Sequence, residues 1–235
     1  TSIPFDISSA AYTQNFSVAS QDTGPHGLAF NTDGTKMFVV GKTGDAVYEY
    51  ALTTGFDVST ASFTDAFSVA AQDTAPEGIA FNTDGTKMFI AGSANTSVYE
   101  YALSTGFDVS TASFTDSFSV STQTALPTGV TFNTDGTKMF VVARHTGDAV
   151  YEYTLSTGFD ISSASFVDSF SVSAQDVNPS AVAFNTNGTA MFVLGATGGA
   201  VYEYALTTGF DVSTASYASV SFSVVSQETN PLGLA

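Results

Sequence analysis

The chain is 235 residues long, 43% hydrophobic, and carries a formal charge of -17 from 22 Asp plus Glu against 5 Lys plus Arg. Such a charge repels nucleic-acid phosphates and anionic membrane faces, so nucleic-acid binding is excluded as a function class. Cysteine is absent, which removes disulfides and thiolate metal sites, and no apolar run is long enough to insert in a membrane.

Residues 1–24 carry the end of a repeat. Phe5-Asp6-Ile7-Ser8-Ser9-Ala10-Ala11-Tyr12 aligns with Phe56-Asp57-Val58-Ser59-Thr60-Ala61-Ser62-Phe63, and Phe16-Ser17-Val18 aligns with Phe67-Ser68-Val69. The first full unit starts at Pro25. Strands are predicted at 27–30, 36–40, 46–52 and 62–69. Asn31-Thr32-Asp33-Gly34-Thr35 forms a tight hairpin, because Asp-Gly supplies the positive φ such turns need. The strand at 46–52 is rich in aromatic and branched residues, and Thr53-Thr54-Gly55 turns the chain after it. Near-copies begin at Pro76, Pro127 and Pro179, with a stub at Pro231.

Met37, Met88 and Met139 recur every 51 residues, and Met191 follows after 52, because the loop holding Arg144 and His145 is one residue longer. A second extra residue falls in the last fourth strand, where Phe170 to Phe222 spans 52. A four-stranded unit of about 50 residues is the size of a propeller blade. The expected fold is therefore an all-β β-propeller of four-stranded blades, one array over residues 1–235. Its parts are a partial unit at 1–24, full repeats at 25–75, 76–126, 127–178 and 179–230, and a stub at 231–235. Counting both partial units as strands predicts a five-bladed ring with one incomplete blade. The alternative is a segment or building block of a larger propeller or assembly, its open edges paired by another copy.

The repeat resembles the surface-layer and lactonase-like propeller class, the YVTN type. The matching positions are Pro25, Gly27, Asp33, Gly34, Phe38, Val39, Gly44, Val47 and Gly55, with equivalents in the next two units. The fourth unit departs at Ala181 and at Asn187-Gly188, which serves the same turn. The resemblance implies the fold. Related repeats occur in lactonases, surface-layer proteins and carriers of protein contacts, so it does not choose among functions.

In such a ring the loops before each first strand and between the second and third strands open on one face. That face varies here. After the prolines come His26, Glu77, Thr128, Ser180 and Leu232, and both histidines, the arginine and the one lysine outside the hairpin series lie in these loops. A recognition surface needs such diversity on a rigid scaffold. The expected binding set is His26, Lys42, Asp45, Glu77, Asn95, Arg144, His145 and Asp148. His26 and Glu77 occupy equivalent positions of adjacent blades and are the candidates for general acid–base work. No cofactor is called for. Asp22, Asp73 and Asp176 before the prolines are candidate hard-oxygen Ca2+ ligands, against the simpler role of capping turns. Glu49, Glu100, Glu152 and Glu203 alternate with paired tyrosines and are placed to meet the Lys36, Lys87 and Lys138 series or solvent.

The favoured functional expectation is a non-enzymatic binding or assembly module. It would act through its variable face and open blade edges, with protein or self-association as partner, on an extracellular, virion or cell surface, as the Thr/Ser-rich, lysine-poor composition suggests. The enzyme reading, a lactonase-like hydrolase around His26 and Glu77, is the alternative. Glycan binding is a third, disfavoured because the variable loops carry no aromatics.

Overall fold

The computed structural model describes residues 5–145 and 147–235; Thr146 of the variable loop lies outside them. Sixteen strands form four antiparallel sheets, each taking its strands in sequence order. Blade 1 holds β1 (Pro25–Phe30), β2 (Lys36–Gly41), β3 (Ala46–Leu52) and β4 (Ala61–Ser68). Blade 2 holds β5 (Pro76–Phe81), β6 (Lys87–Gly92), β7 (Ser97–Leu103) and β8 (Ala112–Ser119). Blade 3 holds β9 (Pro127–Phe132), β10 (Lys138–Ala143), β11 (Ala149–Leu155) and β12 (Ala164–Ser171). Blade 4 holds β13 (Pro179–Phe184), β14 (Ala190–Gly195), β15 (Ala200–Leu206) and β16 (Ala215–Ser223).

This corrects the blade count. The described residues contain four complete four-stranded blades, and neither terminal segment forms a strand. The expected fifth, incomplete blade and the open building block therefore give way to a four-bladed propeller. Residues 12–18 and 231–235 have strand-like sequences but no sheet ladder. They lie instead between blades 4 and 1. Phe16 meets Tyr50 edge-on at 5.6 Å, and Ser180 Oγ donates to the Pro231 carbonyl at 3.1 Å.

The extra residue of the last unit is a bulge. In β4 one residue is skipped between the partners of Glu49 and Tyr50, whereas β16 skips two, and Ser219 takes a positive φ of 63°. A bulge absorbs an insertion without moving the flanking side chains to the wrong face.

Three blade interfaces repeat one construction. Tyr50, Tyr101, Tyr153 and Tyr204 are wholly buried. Burial in this apolar wall pushes the Tyr50 phenol up to about 12. On the other face of the same strand, Lys36 Nζ pairs with Glu49 Oε1 at 2.7 Å and donates to the Phe107 carbonyl of the next blade at 2.6 Å. Glu49 Oε2 then accepts the Val109 N–H at 3.0 Å. Lys87 with Glu100 ties blade 2 to blade 3, and Lys138 with Glu152 ties blade 3 to blade 4. Ala190 stands at the fourth lysine position, so Glu203 lacks this clamp, and burial followed by the nearby Asp6 charge raises its pKa. Lys87→Met strands the buried Glu100 carboxylate and is expected to cost about 3 kcal/mol in denaturant titration.

The hairpin glycines are fixed by an aromatic lid. Gly34 has φ +71°, and a Cβ there would sit 2.4 Å from the Phe56 ring. Phe56, Phe107, Phe159 and Phe210 themselves take positive φ. That strain of about 1–3 kcal/mol per residue is offset where the ring fills a blade interface. Phe107 stacks on Phe38 at 6.3 Å and tilts against Phe81 at 5.3 Å.

Candidate active site at the channel mouth

The inner strands pack so closely that the axis is constricted. A Cβ on Gly78 would lie 2.6 Å from the Gly129 Cα. The two faces of the ring are thereby separate environments, and the variable loops crowd over one of them.

Those loops are anchored by the aspartates that precede the prolines. Asp22 accepts the N–H of Gly24 at 2.6 Å and of Gly44 at 2.7 Å. Asp73 accepts from Ala75 at 2.8 Å and Asn95 at 3.0 Å, and Asp176 from Asn178 at 2.8 Å and Gly198 at 2.6 Å. Each carboxylate lies against a glycine that ends the second strand. A Cβ on Gly41 would meet the Asp22 carboxyl at 2.3 Å, and Gly92 and Gly195 are equally tight. In blade 3 the acid is Thr124 and the glycine is Ala143. The shorter Thr side chain leaves room for the methyl, and Arg144 follows with its N–H donating to the Leu126 carbonyl at 3.2 Å.

The calcium candidates thus hold loop amides, and among the described residues no group of three or more His, Cys, Asp or Glu could hold a metal ion. Asp73→Ala should cost about 2 kcal/mol, by exposing two or more buried N–H groups to loss of their acceptor. The loss should be the same in thermal melts with calcium or with chelator.

Glu77 is the focus of the face. It is 2% exposed. His26 Nδ1 lies 2.7 Å from its Oε2, Lys42 Nζ 2.5 Å from its Oε1, and Ser93 Oγ donates to Oε1 at 2.8 Å. Arg144 Nη2 stands 3.8 Å from Oε1, and Nη1 donates to Asn178 Oδ1 at 3.4 Å. Arg144 Nε is buried with no hydrogen-bond partner. The three remaining lysines are committed to the blade clamps. Every cation outside the repeat therefore converges on one carboxylate. Lys42, Arg144 and Glu77 sum to one positive charge at this point of a chain whose total is -17.

Burial alone would raise the Glu77 pKa. The hydrogen bonds from His26 and Lys42, the His26 charge and the Ser93 hydroxyl outweigh it and hold the carboxyl down at about 2. The group is an acceptor at neutral pH. His26 must then present its Nδ1–H to Glu77, which leaves Nε2 with the lone pair in the neutral ring. A buried carboxylate that fixes a histidine tautomer while cations stand by can position a base and stabilise a developing oxyanion.

Of the expected binding set, the structure brings together His26, Lys42, Glu77 and Arg144. Asn95 donates its Nδ2 to the Gln72 carbonyl, and Asp45 accepts the Val69 N–H through its carbonyl at 2.8 Å; both build loops. His145 is exposed, and its N–H donates to Asp148 Oδ1 at 2.9 Å, which makes these two a local turn. Ser93 and Asn178 were not singled out from the sequence. In a Ser- and Asn-rich chain, only their places in the loops beside Glu77 could have marked them.

No family model matches the chain, and no curated protein matches it. Solved structures do. A putative 6-phosphogluconolactonase from Bacteroides fragilis is 15% identical, with a TM-score of 0.58, over 94% of this chain and 60% of that one. A second, from Bacteroides uniformis, is 12% identical, with a TM-score of 0.57, over 85% of this chain and 55% of that one. A periplasmic gluconolactonase from Pseudomonas aeruginosa is 15% identical, with a TM-score of 0.52, over 85% of this chain and 54% of that one. The chain spans a little over half the length of these proteins. It is a four-bladed propeller distantly similar in fold to lactonase-type propellers.

The preference for a non-enzymatic binding or assembly module is overturned by this centre. Each blade clamp buries one carboxylate with one lysine, whereas this carboxylate gathers an imidazole and both remaining cations at the variable face. No helix of the described residues is long and apolar enough to cross a membrane.

Proposed function

We propose that the chain is a lactone hydrolase whose reaction centre is His26, held by Glu77. The observation that carries this reading is the convergence of His26, Lys42 and Arg144 on one buried carboxylate. In the reaction, His26 Nε2 takes a proton from water, and the resulting hydroxide adds to the lactone carbonyl carbon. The carbonyl oxygen becomes an oxyanion, for which the partly exposed Lys42 ammonium supplies the donor and the neighbouring Arg144 guanidinium adds its charge. As the oxyanion collapses, the ring C–O bond breaks, and the imidazolium returns its proton to the leaving alkoxide. Lactone and water give a hydroxy acid, which ionises and releases a proton at neutral pH.

Glu77 does not exchange protons in this sequence. It holds the imidazole in the useful tautomer and favours the imidazolium that forms, as a buried carboxylate does beside a catalytic histidine. The fold shared with proteins described as gluconolactonases supports the same reaction class. The Thr/Ser-rich, lysine-poor composition supports placing the activity outside the cell or on a particle surface. A panel of γ- and δ-lactones, with opening followed by acid release, tests the proposal: at least one should open faster with the protein than without it. Opening of the whole panel at the spontaneous rate defeats the reading.

A further inference from the structure

His26 lines a second environment besides the Glu77 cluster. Between blades 1 and 4 lies a cleft of about 490 Å³, and its wall is mostly apolar. Leu28, Met37 and Val39 come from blade 1, Leu194 and Val201 from blade 4, and Leu232 from the C-terminal segment. The cleft has a simple origin. At the other blade interfaces the facing side chains merge into one core, as Phe38, Val40 and Val47 of blade 1 do with Met88, Ile90 and Tyr99 of blade 2. Met37 and Val39 belong to a cluster of blade 1 and the N-terminal segment, while Leu194 and Val201 belong to another with Ile7 and Leu234. The two apolar walls face a common space and do not touch as one cluster.

We infer that this cleft is the subsite for an alkyl chain, so that the substrate is an alkyl-substituted lactone with its ring at His26 and its chain between blades 1 and 4. The inference rests on the hydrolase reading for the ring and on the cleft for the chain. A mostly apolar cavity of this size, with a few convergent polar groups at one end, is the usual form of a small-ligand site. Of the Glu77 cluster, His26 alone lines the cleft; Asn15, Glu228 and Asn230 are its other polar lining residues. A sugar lactone would set most of its hydroxyls against the apolar wall of Leu28, Met37, Val39, Leu194, Val201 and Leu232, with Asn15, Glu228 and Asn230 as the polar side chains besides His26. An alkyl chain gains there by leaving water.

The test uses γ-lactones from γ-butyrolactone to γ-dodecalactone as substrates, and the matching γ-alkyl lactams, which resist opening, as binding probes. Lactam affinity by calorimetry should rise about fourfold per methylene until the cleft is filled. The kcat/KM for the lactones should rise with chain length in parallel. Leu232→Asn, and separately Val224→Asn at another half-exposed wall position, should reduce the long-chain advantage at least tenfold and leave γ-butyrolactone opening unchanged. Two variants guard against one that misfolds, and circular dichroism identifies such a case.

Lactam binding that grows with chain length, without lactone turnover, supports the alkyl subsite and defeats the hydrolase reading. Turnover that is flat with chain length, or that favours gluconolactone, overturns the alkyl subsite and leaves the hydrolase reading standing. Lactam binding insensitive to both wall variants also overturns it.

Discussion

Glu77→Gln lowers the stability of the folded chain by about 3 kcal/mol or more at neutral pH and reduces its sensitivity to acid. Glu77 is the one anion shared by His26, Lys42 and Arg144, and its removal leaves cations half-buried around a neutral amide. Breaking a buried pair on one side costs about 3–5 kcal/mol. The pH dependence has a definite sign. The carboxyl sits at about 2 in the folded protein, below its ordinary value of 4.5. Its contribution is therefore complete above the ordinary value and is lost as pH falls toward 2. Urea titrations from neutral to acid pH should show wild-type stability falling in that window, with a correspondingly smaller fall for Glu77→Gln. Equal acid sensitivity in the two proteins would mean that the low pKa does not arise from these contacts.

His26→Gln should reduce lactone opening by about 10²–10⁴-fold, the usual range for loss of a positioned general base. Glutamine keeps a hydrogen bond toward Glu77 within reach but has no lone pair able to take the water proton. Because His26 belongs to none of the apolar clusters and glutamine keeps a donor for Glu77, the fold should be retained. Lys42→Met separates positioning from charge. If the ammonium stabilises the oxyanion, kcat falls and KM changes little. A change confined to KM would place Lys42 in substrate binding instead. A fully active His26→Gln protein would remove the histidine from the chemistry.

The repeat made most of the fold legible. The predicted strand at 46–52 is β3 residue for residue, and the strand at 36–40 falls one residue short of β2. The odd spacing from Phe170 to Phe222 is the bulge at Ser219. The missing lysine at Ala190 proved to be the place where blade 4 meets the chain ends and no clamp is made. The blade count was misread for a physical reason. Residues 12–18 copy the sequence of β4 without its neighbour, and a strand exists only where another strand completes its ladder.

The site was legible in part. The pairing of His26 with Glu77 followed from equivalent positions in adjacent blades. The arrival of Arg144 did not, although Arg144 occupies the position equivalent to Lys42 and Ser93, its N–H likewise donating to the carbonyl before a proline; whether a side chain from blade 3 reaches Glu77 of blade 2 depends on side-chain direction. The exchange of an aspartate and a glycine for Thr124 and Ala143 in the same blade became intelligible only once the carboxylate was seen against the glycine.

The most direct test of the account is a side-by-side acid-release trace for one γ-lactone with the wild-type chain, with His26→Gln and with buffer alone. Opening well above the buffer rate is expected for the wild type, with a return close to that rate for the variant. A wild-type trace that matches buffer, or a variant trace that matches the wild type, would contradict it.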